Sequence, residues 1–297
     1  MKNFEEFLTV NHINFDKNAD TSRISYIRSG GTADYIVYPD NENKVIILVD
    51  YLTANSIKYK ILGKCSNCVF SDTGFSGVIV STLKLNRVTL NSNCICFGAG
   101  VFFKDVAIKL MKRGISLFPE LYGIPASIGG MVKNNAGAFG KEVKDCFHKC
   151  RLYDAHSKKI FEVSKENMKF SYRHSLLSED SYILLNADFF FSFEETKKIE
   201  EEFNFYRKER LDKQPREPSL GSFYKRDKEI IPAKIIDYLG LKGYSVGGAA
   251  VSEKHAGFIV NKGNAKFRDI ETLADYIEKT VKDKTGIVLK REAELIY

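Results

Sequence analysis

The sequence has no tryptophan, only five histidines and six prolines, and no apolar run near the ~20 residues that cross a bilayer. A transmembrane helix is therefore excluded. The first residues, Met1-Lys2-Asn3-Phe4-Glu5-Glu6, carry no apolar core behind the lysine, so no secretory signal is expected. Internal repeats and low-complexity tracts are also missing, which removes solenoids and extended disordered tails. A cytoplasmic protein with its six cysteines as thiols is expected, and no membrane partner.

Metal chemistry has little to work with. Cys65 and Cys68 have zinc-ribbon spacing, but no second such pair follows and no histidine stands at ligand spacing. Cys94 and Cys96 fall two apart in a strand-like segment and share a face. Cys146 and Cys150 complete the set. Small core or turn residues are the reading for all six, and no metal is expected. A redox role for Cys65 and Cys68 is equally weak, because such motifs open a helix and this one lies in a Gly/Ser/Asn loop.

What is present is ordinary at first sight. Hydrophobic residues make up 44% and charged residues 28% of 297, so a packed core is expected. Length suggests two domains of about 150 residues each. The net charge of +7 is mild and spread along the chain with no basic tail. It suits a small anionic ligand at least as well as nucleic acid.

Periodicity supplies the elements. Strands are expected over 35–38, 58–62, 78–81, 88–90, 94–97, 150–154, 160–163, 182–193 and 288–296. Helices are expected over 42–55, 103–113, 194–211, 232–239 and 270–284, the fourth with Pro232 in its first turn. Residues 155–158 read as a hairpin turn, and Gly114 as a helix cap. The mixed order argues for an α+β fold.

Four glycine-rich segments then stand out: Arg28-Ser29-Gly30-Gly31, Gly63-Lys64-Cys65-Ser66-Asn67, Gly98-Ala99-Gly100 and Gly123-Ile124-Pro125-Ala126-Ser127-Ile128-Gly129-Gly130. Glycines at strand ends let backbone approach a ligand closely, often with N–H groups turned to a phosphate. Gly129-Gly130 before Met131 reads as a helix N-terminus and a candidate anion site. Neither a P-loop nor G-x-G-x-x-G is present, so ordinary nucleotide folds are not supported. One such segment is a turn more often than a cradle. Four in the first half of a chain favour a large phosphate-bearing cofactor.

These segments, in this order, resemble the UDP-N-acetylenolpyruvoylglucosamine reductase family of flavoenzymes. Residues 28–34 look like its opening motif. Residues 62–67, with Asp72 and 77–80 behind them, look like its flavin-diphosphate turn. Residues 123–130 and Asn135-Ala136-Gly137-Ala138-Phe139-Gly140 look like its long flavin loop. The segments Phe170-Ser171-Tyr172-Arg173-His174-Ser175, Gly221-Ser222-Phe223-Tyr224-Lys225 and 247–261 complete the set, so the resemblance runs from about residue 24 to 296.

The resemblance implies a two-part FAD-binding domain of the vanillyl-alcohol-oxidase type, over 1–83 and 84–195, and a C-terminal α+β substrate domain over 196–297. It implies that NADPH reduces bound FAD, which reduces UDP-N-acetylglucosamine enolpyruvate to UDP-N-acetylmuramate, a cell-wall precursor. Gly63, Lys64, Cys65, Ser66, Asn67, Gly123, Ile124, Pro125, Ser127, Gly129, Gly130, Asn135, Gly137 and Ala138 are its expected cofactor contacts. A monomer acting on a small molecule, with no nucleic acid partner, is expected.

The same resemblance places the catalytic residues. Charge pushed onto the carboxylate-conjugated carbon needs cationic and hydrogen-bonding stabilisation, and the enolate then needs a proton. Arg173 matches the family arginine, whose fork suits a carboxylate. Ser222 matches the proton donor, with Gly221 before it. Glu292 matches a glutamate that helps hold the enolic form, with Glu294 a competitor on the same strand face. Tyr172, Lys213 and Lys225 are expected at the substrate, Lys254 is a weaker candidate for its diphosphate, and His255 is read as structural.

Three features depart from the family pattern. Cys65 stands where glycine is usual. No proline follows Arg226. The segment between Ser175 and Tyr182 is too short for the longer tyrosine-bearing insertion, so this is the shorter type. Two competing readings are a flavin oxidase or dehydrogenase on another substrate, and a colourless nucleic-acid-binding protein with salt-dependent affinity.

Overall fold

The computed structural model describes residues 2–179, 181–227 and 229–297; Met1 of the expected signal-free start, Asp180 of the short segment after Ser175, and Lys228 lie outside them. The chain folds as two compact units. The first takes the chain up to Lys17, Tyr35–Lys64 and Gly77–Lys208; the second takes Asn18–Asp34, Cys65–Ser76 and Glu209–Tyr297.

The first unit is built on a five-stranded antiparallel sheet. Its centre is Tyr182–Phe190, flanked by Phe147–Asp154 and Cys94–Gly98, with Lys159–Ser164 and Val88–Leu90 at the edges. The hairpin turn expected at 155–158 joins Phe147–Asp154 to Lys159–Ser164. The apolar residues of the central strand explain its place: Ile183, Leu184, Leu185, Ala187 and Phe189 are buried. The Phe189 ring meets Phe118, Phe147 and Phe97 at centroid distances of 5.3, 5.6 and 5.8 Å. Each such ring pair adds roughly 0.5–1.5 kcal/mol beyond burial.

A second sheet orders Asn14–Asp20, Thr32–Tyr38, Phe75–Ser81 and Tyr59–Leu62, the last two parallel. Helix Glu42–Ala54 buries Val45, Leu48, Val49 and Leu52, and Asn41 caps it by accepting from the Lys44 amide at 3.0 Å. Helix Lys2–Val10 adds Phe4 and Leu8 to that core.

In the second unit, Ser219–Ser222, Phe258–Asn261, Ala249–Val251 and Ser245–Val246 form an antiparallel sheet. Helix Phe267–Thr285 lies against it with Ile270, Leu273, Ala274, Ile277 and Val281 buried, a stripe at helical spacing. Asp72 holds the start of that helix: its two oxygens accept from the amides of Phe267 at 2.9 Å and Arg268 at 3.0 Å. Strand Cys68–Phe70 pairs in parallel with Glu294–Ile296. The buried Asn261 side chain donates to the carbonyls of Ile27 at 2.9 Å and Arg28 at 3.2 Å. These contacts explain why 18–34 and 65–76 group with the C-terminal part rather than with their sequence neighbours. The boundaries expected along the chain, at 83/84 and 195/196, do not mark this grouping.

Some elements differ from expectation. Residues 182–193 form two strands, Tyr182–Phe190 and Ser192–Phe193, the second pairing with Ile115–Ser116. The last strand is Glu294–Ile296, shorter than 288–296, with Arg291 joined to Tyr224 by an isolated bridge. Helix Phe103–Met111 stops earlier than expected, and Gly114 lies beyond it at φ +70°.

Candidate active site

The first candidate feature lies wholly in the first unit, where Gly63 meets Ser127. A Cβ at Gly63 would fall 1.9 Å from Ser127 Oγ and 3.0 Å from Ser127 Cβ, so any side chain there would force Ser127 to move. Ser127 is 1% exposed, and its hydroxyl has no hydrogen-bond partner among the described residues. A buried hydroxyl without a partner is costly and points to a missing polar ligand. Lys64 follows, its Nζ 4.7 Å from the Phe102 ring centroid. The residues therefore fit an anionic, phosphate-bearing group.

The neighbouring helix contributes less than expected. It runs Ile128–Lys133, and the Ile128 and Gly129 amides donate to Val101 O at 2.9 Å and Ala99 O at 2.8 Å. Those two amides are spent on backbone, so the Ser127 hydroxyl is the more available polar group. Gly123, at φ +90°, lets the chain turn into Ile124 and Pro125. Gly130 sits in the first turn of the helix.

The long loop continues into a tight hairpin in which Gly137–Ala138 pairs with Lys141–Glu142. Asn135, fully buried, precedes it. Its Nδ2 donates to Glu142 Oε2 at 3.0 Å and to Ser171 O at 3.1 Å, and its Oδ1 accepts from the Lys144 amide at 3.0 Å.

Arg173 sits in the turn that Asn135 reaches. Ser171 and His174 exchange backbone hydrogen bonds of 3.1 and 3.2 Å, leaving Tyr172 and Arg173 as the two central residues. Arg173 adopts φ +53°, and its guanidinium carbon lies 5.1 Å from the Tyr172 ring centroid. A left-handed arginine costs roughly 1–2 kcal/mol, and such strain persists where surrounding structure holds it.

In the second unit, the backbone of Glu292, just before strand Glu294–Ile296, meets the residue that follows Ser222. Ser222 ends Ser219–Ser222, opposite Phe258, and is exposed. Gly221 before it takes φ +73°, in open space. The next residue, Phe223, accepts the Glu292 amide at 2.8 Å through its carbonyl. Two residues further, the Lys225 amide donates to Lys290 O at 2.8 Å. Asn67 Nδ2 donates to Glu292 O at 2.9 Å, and Asn67 O accepts the Glu294 amide at 2.9 Å. Cys65, buried at φ +47°, accepts the Tyr26 amide at 3.0 Å through its carbonyl, and Ser66 follows half-buried.

Among the lysines, Lys225 is exposed beside Tyr224, Lys213 pairs with Glu209 one turn back, and Lys254 reaches the Leu211 carbonyl. His255 Nδ1 accepts from the Gly257 amide at 3.1 Å, and burial is the main cause that lowers its pKa from 6.5. No disulfide forms among the six cysteines, and burial pushes the Cys96 and Cys150 thiols up to about 12. Among the described residues no three metal-ligating side chains gather, and no helix is long and apolar enough to cross a membrane.

Comparisons with known proteins give the family. Residues 214–296 match the C-terminal domain of UDP-N-acetylenolpyruvoylglucosamine reductase, and residues 33–162 match an FAD binding domain. The UDP-N-acetylenolpyruvoylglucosamine reductase of Caldicellulosiruptor bescii is 36% identical over 296 residues, spanning 99% of this chain and 94% of its own. The protein of that name from Caldanaerobacter subterraneus subsp. tengcongensis is 39% identical over 283 residues, 94% and 92% of the two chains.

The chain belongs to the UDP-N-acetylenolpyruvoylglucosamine reductase family.

The fold agrees: the crystal structure of the Thermus caldophilus reductase superposes with a TM-score of 0.81 at 24% identity, covering 96% of this chain and 99% of that one. Within the reductase family frame, spacing alone did not reveal two residues around the site. Asn261 closes the 247–261 motif and ties residues 27–28. Arg291 forks onto Glu278 at 2.6 and 3.1 Å and also pairs with Asp275, anchoring the strand beside Glu292 to the long helix. An arginine next to the expected glutamate, Glu292, was the available signal for the second.

Proposed function

We propose that this chain reduces the enolpyruvyl group of UDP-N-acetylglucosamine enolpyruvate to give UDP-N-acetylmuramate, using NADPH and FAD, in peptidoglycan precursor synthesis. Family membership supports the reaction, and the backbone bond from Glu292 to Phe223, next to Ser222, is the observation that supports the residue roles. Bound FAD would supply the redox chemistry, hydride transfer from NADPH to the enolpyruvyl group.

The protein's own residues handle the rest. Ser127, Gly63, Lys64, Cys65, Ser66 and Asn67 would hold the cofactor's diphosphate region, and residues 123–130 with Gly137 and Ala138 would line it along the long loop, while the Asn135 side chain is held by Glu142, Ser171 and Lys144. Arg173 grips the substrate carboxylate and meets the charge that develops on it. Glu292 helps hold that carboxylate in its enolic form. Ser222 Oγ gives its proton to the carbon next to the carboxylate, and the serine is reprotonated from solvent. Tyr172 packs on the substrate, and Lys225 with Lys213 faces its diphosphate. Residues 1–83 and 84–195 serve FAD and 196–297 serve the substrate. A monomer working in the cytoplasm, where nucleotide sugars and NADPH are available, completes the reading.

The test is direct. Purified protein should be yellow, NADPH should bleach it, and the UDP-sugar enolpyruvate should restore the colour with formation of UDP-N-acetylmuramate. A colourless protein, or one that oxygen but not the UDP-sugar reoxidises, would overturn the reading.

A further inference from the structure

Arg173 occupies a turn that does not hold itself. Its two backbone hydrogen bonds close the ends, but the left-handed arginine between them works against the conformation. Two side chains from outside the turn grip it. Asn135 Nδ2 donates to Ser171 O at 3.1 Å, just before the turn's central residues. Ser175 Oγ donates to Lys133 O at 2.9 Å, just after them. Residues 133–135 and 171–175 are thus tied twice, once on each side of Tyr172 and Arg173.

Both gripping residues are fully buried. Asn135 uses both amide protons and its oxygen on protein groups, with Glu142 Oε2 and the Lys144 amide as the other partners. Glu142 is itself fixed by Lys144 Nζ at 2.6 Å. The Asn135 amide therefore cannot swing without breaking bonds to the adjoining hairpin. Pinning Ser171 O fixes the peptide plane that enters Tyr172, and through it the direction in which the arginine leaves the turn.

We propose that Asn135 and Ser175 are positioning residues for Arg173: a bracket that holds the arginine's turn in its productive orientation. The proposal rests on the role given to Arg173 above. It also assigns the Asn135 side chain work within the protein rather than at the cofactor.

Two variants test it in the flavin-loaded enzyme. Asn135→Asp keeps the shape but exchanges donors for an acceptor facing the Ser171 carbonyl. Ser175→Ala removes the second tie, together with the 3.3 Å bond its hydroxyl accepts from the Leu177 amide, and it carries the comparison if the first variant fails to fold. In Ser175→Ala, which lies outside the expected cofactor contacts, bleaching by NADPH should stay near the wild-type rate. Reoxidation by the UDP-sugar enolpyruvate should slow about 10- to 100-fold, the range of a misplaced catalytic group. Hydrogen exchange at the Ser171 and His174 amides should quicken in both variants. Added to Arg173→Ala, either change should cost little more, because the arginine it serves is gone.

Unchanged reoxidation with unchanged exchange would overturn the bracket. So would losses that simply add to that of Arg173→Ala. If the wild type does not turn over the UDP-sugar at all, the functional reading fails, while the exchange result still reports on the bracket.

Discussion

Asn67 and Glu292 lie 225 positions apart and hold one another. The Asn67 amide donates to the Glu292 carbonyl at 2.9 Å, and the Asn67 carbonyl takes the Glu294 amide at 2.9 Å. On its other side, Glu292 donates to Phe223 O, next to Ser222. A residue of the expected flavin turn therefore fixes the segment that carries the expected catalytic glutamate into strand Glu294–Ile296. Replacing Asn67 with Ala should lower stability by about 1–2 kcal/mol, the range for leaving a part-buried carbonyl unmet. Urea unfolding checks this, and Asn67→Asp should cost more because its carboxylate faces the carbonyl.

Cys65 holds a conformation that suits glycine, φ +47°, while its side chain is buried. Cys65→Gly should relieve the backbone and lose packing, two effects of opposite sign and roughly 1 kcal/mol each. The midpoint of unfolding should therefore move little. Cys65→Val should fall by about 2 kcal/mol, since a β-branched residue fits the left-handed region worst. Paired denaturation curves separate the two.

Asp72 meets two orphan amides at the start of helix Phe267–Thr285. Asp72→Ala should cost about 1–2 kcal/mol, the upper range for a cap that also carries charge. Asp72→Asn should recover part of it. Thermal unfolding of the three proteins is the measurement.

The His255 imidazole is neutral in the fold, because burial lowers its pKa below 6.5 and Nδ1 accepts the Gly257 amide. The unfolded chain binds the proton more readily. Stability should therefore be full above pH 6.5 and decline as pH falls through the lowered folded value. His255→Gln should flatten that part of the profile, as urea midpoints taken across the acid range would show.

The helices and the central sheet are legible in the sequence because their apolar periodicity is strong. Ile199 and Phe203 bury as their spacing requires, while Tyr206 and Arg210 on the same face are only half-buried. Burial lowers the Arg210 guanidinium to about 10. Helix Lys2–Val10 and strand Asn14–Asp20 escape the reading: the helix buries Phe4 and Leu8 among its described side chains, and Asn14–Asp20 is polar along most of its length. The split after Phe190 is set by a change of partner strand, which no local pattern announces.

The site divides in the same way. Gly63 and the left-handed position at Cys65 could be anticipated from glycine placement in the motifs. The ties of Asn67 to Glu292, Asn135 to Ser171 and Asn261 to residues 27–28 join distant segments through single side-chain amides. Sequence spacing carries no trace of them, because an asparagine in a loop serves equally as turn, cap or ligand.

The most direct test of the account is replacement of Ser222 by Ala in the flavin-loaded enzyme, followed through its two half-reactions without oxygen. NADPH should still bleach the flavin at close to the wild-type rate. The UDP-sugar enolpyruvate should then fail to restore the colour, because the proton that completes the product has lost its donor. Reoxidation and product formation at the wild-type rate would contradict the account.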